Sequence, residues 1–422
     1  MTWNPHDGLE LNPAMVRAED IPIARRVAAF VLIVCGYTFY SYAWNTVDLL
    51  RPYIRASAGL SLQQAGLLYS AQSLGALAGA LLIGQLADRF GRRLLLVVIT
   101  LGYGLTLLAG LLASGLAALL LQRAVLGLFL GGVFSVAVGL YVSLFAQRIR
   151  GRLASLVGAM YGGGVVLQGW LGSMLLERDW TLMLWAGGLP PLLIAAVSWF
   201  VIPDDRRVIP HGGAVSAAPS ARLPVVELFA PALRRTTFKL IALSALGFFA
   251  YQAFAGWVTT YLKEERGLAG AGIGTLIAWQ GIGGILGGFF WGWVADRFGR
   301  RVGAVGFVLT AVMIVAFLRA PSDLALLTVL GFAYGVVISA GVAWGVYFAE
   351  LYPAHLRSTA ASTFHWGRLI SFFAPAVTAA VADAFGLGVG MMLAALLYVV
   401  AAGVWWLLPE TLSTRRTQRR EP

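Results

Sequence analysis

The chain has 422 residues, of which 59% are hydrophobic and 12% charged, with a mean hydropathy of +0.79 and a formal net charge of +12. A water-soluble domain needs far more polar surface, so the composition excludes one and points to an integral membrane protein. The apolar runs are continuous where barrel strands would alternate, which makes the spans helical.

Residues 1–26 form a polar tail. Twelve apolar runs follow, at roughly 27–51, 62–87, 94–113, 116–144, 153–176, 180–201, 238–262, 270–295, 302–319, 322–349, 359–383 and 386–408. Several exceed the ~20 residues that cross about 30 Å of hydrocarbon, so they tilt or protrude. The first run follows Arg25 and Arg26 and lacks a small-residue cleavage site, so it reads as a retained span and not a removed signal peptide. Cys35, the lone cysteine, excludes an intramolecular disulfide and reads as an apolar filler.

Between the sixth and seventh runs, residues 203–237 carry Pro203, Pro210, Pro219, Pro224 and Pro231 and read as a linker too short to fold alone. Within it "VVELFAPAL" is a candidate interfacial helix. The linker separates a bundle over 27–202 from a second over 238–408, and residues 409–422 form a C-terminal tail.

The two halves are repeats. "GQLADRFGRR" at 84–93 returns as "GWVADRFGRR" at 292–301, an offset of 208, each time between the second and third spans of its half. "SLFAQRIR" (143–150) echoes "ELYPAHLR" (350–357) after the fourth span. Six spans per half predict an all-α membrane protein of twelve transmembrane helices in two pseudosymmetric six-helix bundles, with a site between the bundles near the midplane. With both termini inside, 23 of the 31 Lys and Arg residues fall on cytoplasmic segments, six outside and two within spans, which sets both termini in the cytoplasm. The positive charge then marks topology against anionic lipid, and no nucleic-acid partner is needed.

In each decapeptide a small residue, Gly84 or Gly292, allows close helix approach, Asp88 or Asp296 sits where a carboxylate meets a helix N-terminus, and the arginines hold the loop at the membrane face. This G-x-L-A-D-R-x-G-R-R pattern resembles the signature of the major facilitator superfamily. The resemblance spans essentially the whole chain and implies alternating access by rocking of the halves. It also implies a cytoplasmic gate in which Asp88 and Asp296, beside Arg92 and Arg300, latch the bundles, with Glu350 and Arg357 as partners. In the first half Ser143 and Ala146 replace the Glu and Pro of that second motif, so the latch is expected to be stronger on the C-terminal side.

An ionisable group inside a span costs at least about 2.5 kcal/mol near the bilayer centre, so each asks for a reason. There are four: Asp48, Arg123, His365 and Arg368. Arg123, ahead of Gly127 and Gly131, resembles the superfamily's fourth-helix arginine, which implies proton coupling or substrate charge; snorkelling is the plainer reading. The repeat sets Arg368 opposite Tyr161, so structure shared by the halves does not explain it. Gly367-Arg368 ahead of Pro375 resembles the eleventh span of the organic-acid:proton symporters of the aromatic-acid and sialate or lactate branches. His365, one turn earlier, could titrate near neutral pH or simply bond between helices. Asp48 is the only carboxylate inside a span away from its end residues and the candidate proton carrier, although Arg51 beside it also permits an ordinary ion pair. Those symporters carry two acids three apart in span one, where Asn45 here replaces the first.

Two arginines against one carboxylate make the interior attractive to an anion, and a guanidinium fork suits a carboxylate. Candidate lining residues are Asn45, Tyr161, Gln168, Tyr251, Gln252, Trp279, Gln280, Tyr334 and Trp366, a set that fits an aromatic or amphipathic acid better than a sugar. The leading expectation is proton-coupled uptake of an organic monocarboxylate, with a small organic anion, a proton and the lipid bilayer as partners and the protein acting as a monomer. A proton-driven drug or metabolite exporter is the alternative; the fifth span has the glycines of such exporters but not their Gly-Pro dipeptide. A receptor that binds without translocating would need more than the short tail "STRRTQRREP". No nucleophile-base pair, metal-spaced His/Cys cluster or phosphate loop is present, so no enzyme, metal or cofactor is expected. Arg outnumbers Lys 29 to 2, which associates the chain with a GC-rich bacterium and its inner membrane.

Overall fold

The computed structural model describes residues 15–209, 224–353, 356, 367 and 370–411. The first half contains α1 (Ile23–Ala58), α2 (Leu62–Phe90), α3 (Arg92–Ala109), α4 (Gly115–Leu144, with a turn at Gly132), α5 (Gln147–Leu175) and α6 (Leu182–Val201). The second contains α7 (Arg234–Glu265, interrupted at residues 255–257), α8 (Gly270–Phe298), α9 (Val302–Arg319), α10 (Leu324–Ile338), α11 (described over Ala374–Phe385) and α12 (Leu387–Trp406). After its interruption α7 resumes at Val258–Thr260 and ends in a π-helical turn, Tyr261–Glu265; beyond α10 the chain continues through a tight turn into a helix over Ala343–Glu350. Among the described residues ten helical segments are long and apolar enough to cross a membrane. The other two are α5, whose apolar run is diluted by glycines and Gln168, and α11, described over 12 residues.

Two details refine the expected linker. Helix α7 begins inside it at Arg234, and "VVELFAPAL" contributes a single helical turn, Pro224–Glu227. A two-residue parallel pairing, Val16–Arg17 with Val208–Ile209, ties the N-terminal tail to the chain after α6.

Within each half the closest helix pair meets through glycine. A Cβ on Gly75 or Gly79 of α2 would lie 1.9 Å from the carbonyl oxygen of Ala124 or Leu128 on α4, and one on Gly127 would lie 1.9 Å from that of Gln72. The equivalents 208 residues on repeat the contact: Gly283, Gly287 and Gly335 would meet Phe332, Val336 and Gln280 at 2.2, 2.3 and 2.1 Å. Lipid supplies no hydrophobic drive between helices, so such backbone approach is what makes van der Waals packing strong enough to hold the pair.

Among the described residues three helix pairs make the main contacts between the halves: α5 with α8, α2 with α11, and α1 with the Val258–Thr260 turn of α7. Gly169 and Gly172 of α5 pack on Ala278 and Gly274 of α8, and Gly162 on Ile285. Toward the decapeptide end, a Cβ on Gly158 or Gly151 of α5, or on Gly288 or Gly292 of α8, would meet nothing within 4 Å. Gly66 and Ser70 of α2 contact Pro375 and Phe372 at the far end, where Gln63 also bonds Asp383 at 2.9 Å. The halves thus close at the far end and part at the end that carries the decapeptides.

Candidate functional site

The buried charges lie where α1 crosses α7. Pro52 inside α1 has no N–H, so the carbonyl of Asp48 four residues earlier is left without its helical donor. Thr259 Oγ1 supplies one from the other half. On α7 the helix is interrupted at residues 255–257, and the carbonyl of Gly256 accepts a hydrogen bond from Arg51 Nη1. Arg51 Nη2 pairs with Asp48 Oδ1 at 2.7 Å, the same oxygen accepts Gln252 Nε2 at 2.9 Å, and the guanidinium sits 4.3 Å from the Trp257 ring centroid. Arg51 is wholly buried and Asp48 is 9% exposed. A Cβ at Gly256 would stand 2.2 Å from Gln252 Nε2, so glycine is what lets the amide fold over the carboxylate. One turn further out Arg55 pairs with Glu264.

Arg123 on α4 is 2% exposed, and its Nε and Nη1 have no hydrogen-bond partner among the described residues. It interacts electrostatically with Asp48 and Arg51. Below this group an aromatic row descends α1: Tyr37 and Tyr40 lie 5.0 Å apart between centroids, Tyr40 and Trp44 6.2 Å, and Tyr40 and Tyr161 6.2 Å. Asn45 Nδ2 donates to the Ser41 carbonyl at 2.8 Å and to Tyr161 Oη at 3.4 Å, while Ser41 Oγ donates to the Tyr161 carbonyl at 2.6 Å.

At the opposite end each decapeptide is pinned within its own half. Arg300 grips Glu350 with two nitrogens, at 3.0 and 3.2 Å, and Asp296 with a third at 3.0 Å. Glu350 also accepts Thr411 Oγ1 at 2.6 Å. The carboxylate of Glu410 caps α9 through the main-chain amides of Arg300 and Arg301, at 2.9 and 3.0 Å. In the first half Asp205 caps α3 in the same way through Arg92 and Arg93, both at 2.9 Å. Ser143, however, holds the repeat position of Glu350, and the Arg92 side chain reaches only Asp88 at 3.4 Å and the Gly139 carbonyl at 3.5 Å among the described residues. The Asp88 and Asp296 side chains are 74% and 68% exposed, so neither is enclosed between bundles here.

The profile of the Major Facilitator Superfamily matches residues 33–278 and 258–422. The chain belongs to that superfamily. It is a multi-pass membrane transporter and not an enzyme. Among curated relatives of this facilitator, the gallate transporter of Pseudomonas putida is 26% identical over 405 residues, covering 87% of the chain and 89% of the relative. The cis,cis-muconate transport protein of Acinetobacter baylyi is 28% identical over 400 residues, covering 90% and 92%. The 4-hydroxybenzoate transporter of the same organism is 26% identical over 382 residues, covering 82% of each. Among solved structures, a bacterial homologue of the human lysosomal transporter Spinster, inward-facing and unoccupied, superposes with a TM-score of 0.75 at 18% identity, covering 94% and 99%. A D-xylose–proton symporter gives 0.71 at 18% identity, covering 91% and 98%. At that identity the likeness is one of fold.

The facilitator fold brings some of the expected residues together and sets others apart. Asp48 and Gln252 meet across the two halves, and Asn45 meets Tyr161 within the first. Tyr251 and Gln280 are half-buried. Three placements correct the expected lining. Trp279 is 47% exposed, on the same face of α8 as Leu286, Phe290 and Trp293, with its ring against Phe332, so it faces the surroundings of the bundle. Gln168 is buried and donates to the Tyr42 carbonyl (3.3 Å) and Thr46 Oγ1 (3.2 Å), so it braces α5 on α1. Tyr334 is buried inside the second bundle, 4.8 Å from the Phe254 ring. Arg357, His365, Trp366 and Arg368 lie outside the described residues. Arg51 forms the ion pair with Asp48 that its place beside that residue permitted, and it also reaches the other half through the Gly256 carbonyl. The repeat carried a signal for it, since an offset of 208 pairs Asp48 with Gly256 and Arg51 with Thr259.

Proposed function

We propose that the protein imports an organic monocarboxylate, aromatic or of similar shape, together with a proton, by alternating access across a bacterial inner membrane. Both termini and the decapeptide loops are assigned to the cytoplasm, so the closed far end faces outside and the parted end faces in. The observation that carries this reading is the balance of buried charge: Arg51 and Arg123 against Asp48, with two donor nitrogens of Arg123 unpartnered. Such an interior draws in an anion. The names of the relatives support the same cargo class, since gallate, cis,cis-muconate and 4-hydroxybenzoate are all carboxylates.

In this reading the α1–α7 contact is the outer gate and Asp48 is its charge switch. A proton on Asp48 removes the negative charge that holds Arg51 and accepts from Gln252, and the gate loosens toward the outward-open state. The anion enters toward the positive interior, with the Arg368 guanidinium as its proposed carboxylate ligand and His365, three residues earlier in sequence, as a second proton site. Tyr161, Asn45, Tyr251, Gln252, Gln280 and Trp366 remain proposed contacts of the cargo. On the cytoplasmic side Asp88 and Asp296, with Arg92, Arg300, Glu350 and Arg357, form the latch that engages when the outer gate opens.

Coupling is tested with Asp48→Asn, whose side chain stays neutral. The variant is expected to exchange labelled 4-hydroxybenzoate across proteoliposome membranes but not to accumulate it under a pH gradient. Accumulation at the wild-type level would remove Asp48 from the proton path.

A further inference from the structure

A cavity of about 120 Å³ lies within the first bundle at its far end, among the last turn of α1, the segment that follows α3, the first half of α4 and the start of α6. Ser57, Gln122, Arg123, Trp180 and Thr181 contribute its polar wall. It lies within one half, apart from the α1–α7 contact between the halves.

Three observations define what it can hold. First, the wall has a single charge and that charge is under-used. Arg123 is 2% exposed and makes no hydrogen bond among the described residues; Nε and Nη1 are sealed in, and Nη2 is the nitrogen that keeps accessible surface, whereas Gln122 Nε2 is committed to the Thr106 carbonyl (2.8 Å) and Ser57 Oγ to that of Ile54 (3.1 Å). A buried cationic donor left without a partner is costly, and an anion relieves it. Second, no carboxylate lines the space. Asp48 is held by Arg51 and Gln252, and Asp179, next to Trp180 in sequence, accepts the Thr181 amide at 2.8 Å. Third, the volume is small. An apolar cavity of about 150 Å³ just accommodates benzene, so a one-ring acid with its carboxylate does not fit, while a halide with one or two waters does.

We propose that this chamber binds a small inorganic anion of chloride size, off the cargo path, with the guanidinium of Arg123 as its charged ligand. The site balances the second buried arginine when no cargo is present. The inference goes beyond the transport reading and does not rest on it.

The test uses purified full-length protein without cargo, unfolded thermally in sodium chloride or sodium gluconate at equal ionic strength. Chloride is expected to raise the midpoint saturably, by about 2–4 °C over gluconate. The rise should vanish in Arg123→Gln and in Ala113→Leu, which fills the chamber without touching the charge. Identical curves in the two salts, or a chloride rise that survives in either variant, would overturn the site. If Arg123→Gln does not fold, Ala113→Leu decides. Because no cargo is present, a failed transport assay leaves this outcome unaffected.

Discussion

Arg51 and Thr259 stand one repeat length apart and form a reciprocal pair: Arg51 donates to the carbonyl of Gly256, Thr259 to that of Asp48, and Asp48 and Gly256 are themselves equivalent positions. The pseudosymmetry of the sequence thus reappears as a two-fold contact between the halves. Its two arms differ in strength. The Arg51 arm adds an ion pair with Asp48 and a cation–π contact with Trp257, and the Thr259 arm is one neutral hydrogen bond.

That difference sets the first expected outcome. A hydrogen bond from a charged group contributes about 1.5–3 kcal/mol and a neutral one about 1. Arg51→Ala should therefore shift the population toward the outward-open state by roughly 10- to 100-fold, and Thr259→Val by about fivefold. Spin-label distances between the far ends of α1 and α7, through Ser57→Cys and Glu264→Cys, read the shift directly. Unchanged distances in Arg51→Ala would remove this contact from the gate.

The glycine contacts of α2 with α4 and of α8 with α10 permit a second check. Any side chain at Gly127 or Gly335 must displace a backbone carbonyl, that of Gln72 or of Gln280. Overpacking of this kind costs about 1–3 kcal/mol. Gly127→Leu and Gly335→Leu should each lower the melting midpoint in detergent by several degrees, whereas Gly288→Leu, where no atom lies within 4 Å, should leave it unchanged.

Trp279 separates lining from packing. With its ring on the outer face of α8, Trp279→Leu is expected to leave KM and the maximal rate of uptake within about twofold of wild type, the scatter typical of surface changes. A tenfold rise in KM would return it to the cargo path.

The loop ahead of α6 carries a pH dependence. Asp179 accepts hydrogen bonds from the side chain and the amide of Thr181, and these hold its carboxyl below the usual carboxylate range, against a small opposing effect of burial. The unfolded chain therefore takes up the proton first, and the contribution is complete above about pH 4 and lost as pH falls through the lower folded value. The difference in melting midpoint between wild type and Asp179→Asn should be small, present at neutral pH and absent in acid. A difference that grows in acid would contradict the assignment.

Much of this architecture is legible in the residues. Continuous apolar runs, the duplicated ADRFGRR and the offset of 208 give the helices, the two halves and the end at which their loops lie. The site is less legible, for physical reasons. Whether Arg51 is a loop charge or a buried one depends on how far α1 extends, and Pro52 together with the interrupted turn at Gly256 decides that only once α7 is beside it. Trp279 and Gln280 are neighbours in sequence and face different sides of α8, because helix rotation within a membrane is set by packing on α5 and α10 and not by hydropathy. The capping roles of Asp205 and Glu410 were hidden because a carboxylate just beyond a span reads as surface charge until the helix it caps is seen.

The most direct test of anion import is accumulation of labelled 4-hydroxybenzoate, gallate and cis,cis-muconate in proteoliposomes with an acidic exterior, for wild type and Arg368→Ala. At least one of these acids should accumulate several-fold in wild type, collapse with a protonophore and fail to accumulate in Arg368→Ala. Accumulation of none of them, or uptake indifferent to both the pH gradient and the loss of Arg368, would contradict proton-coupled import of an organic acid.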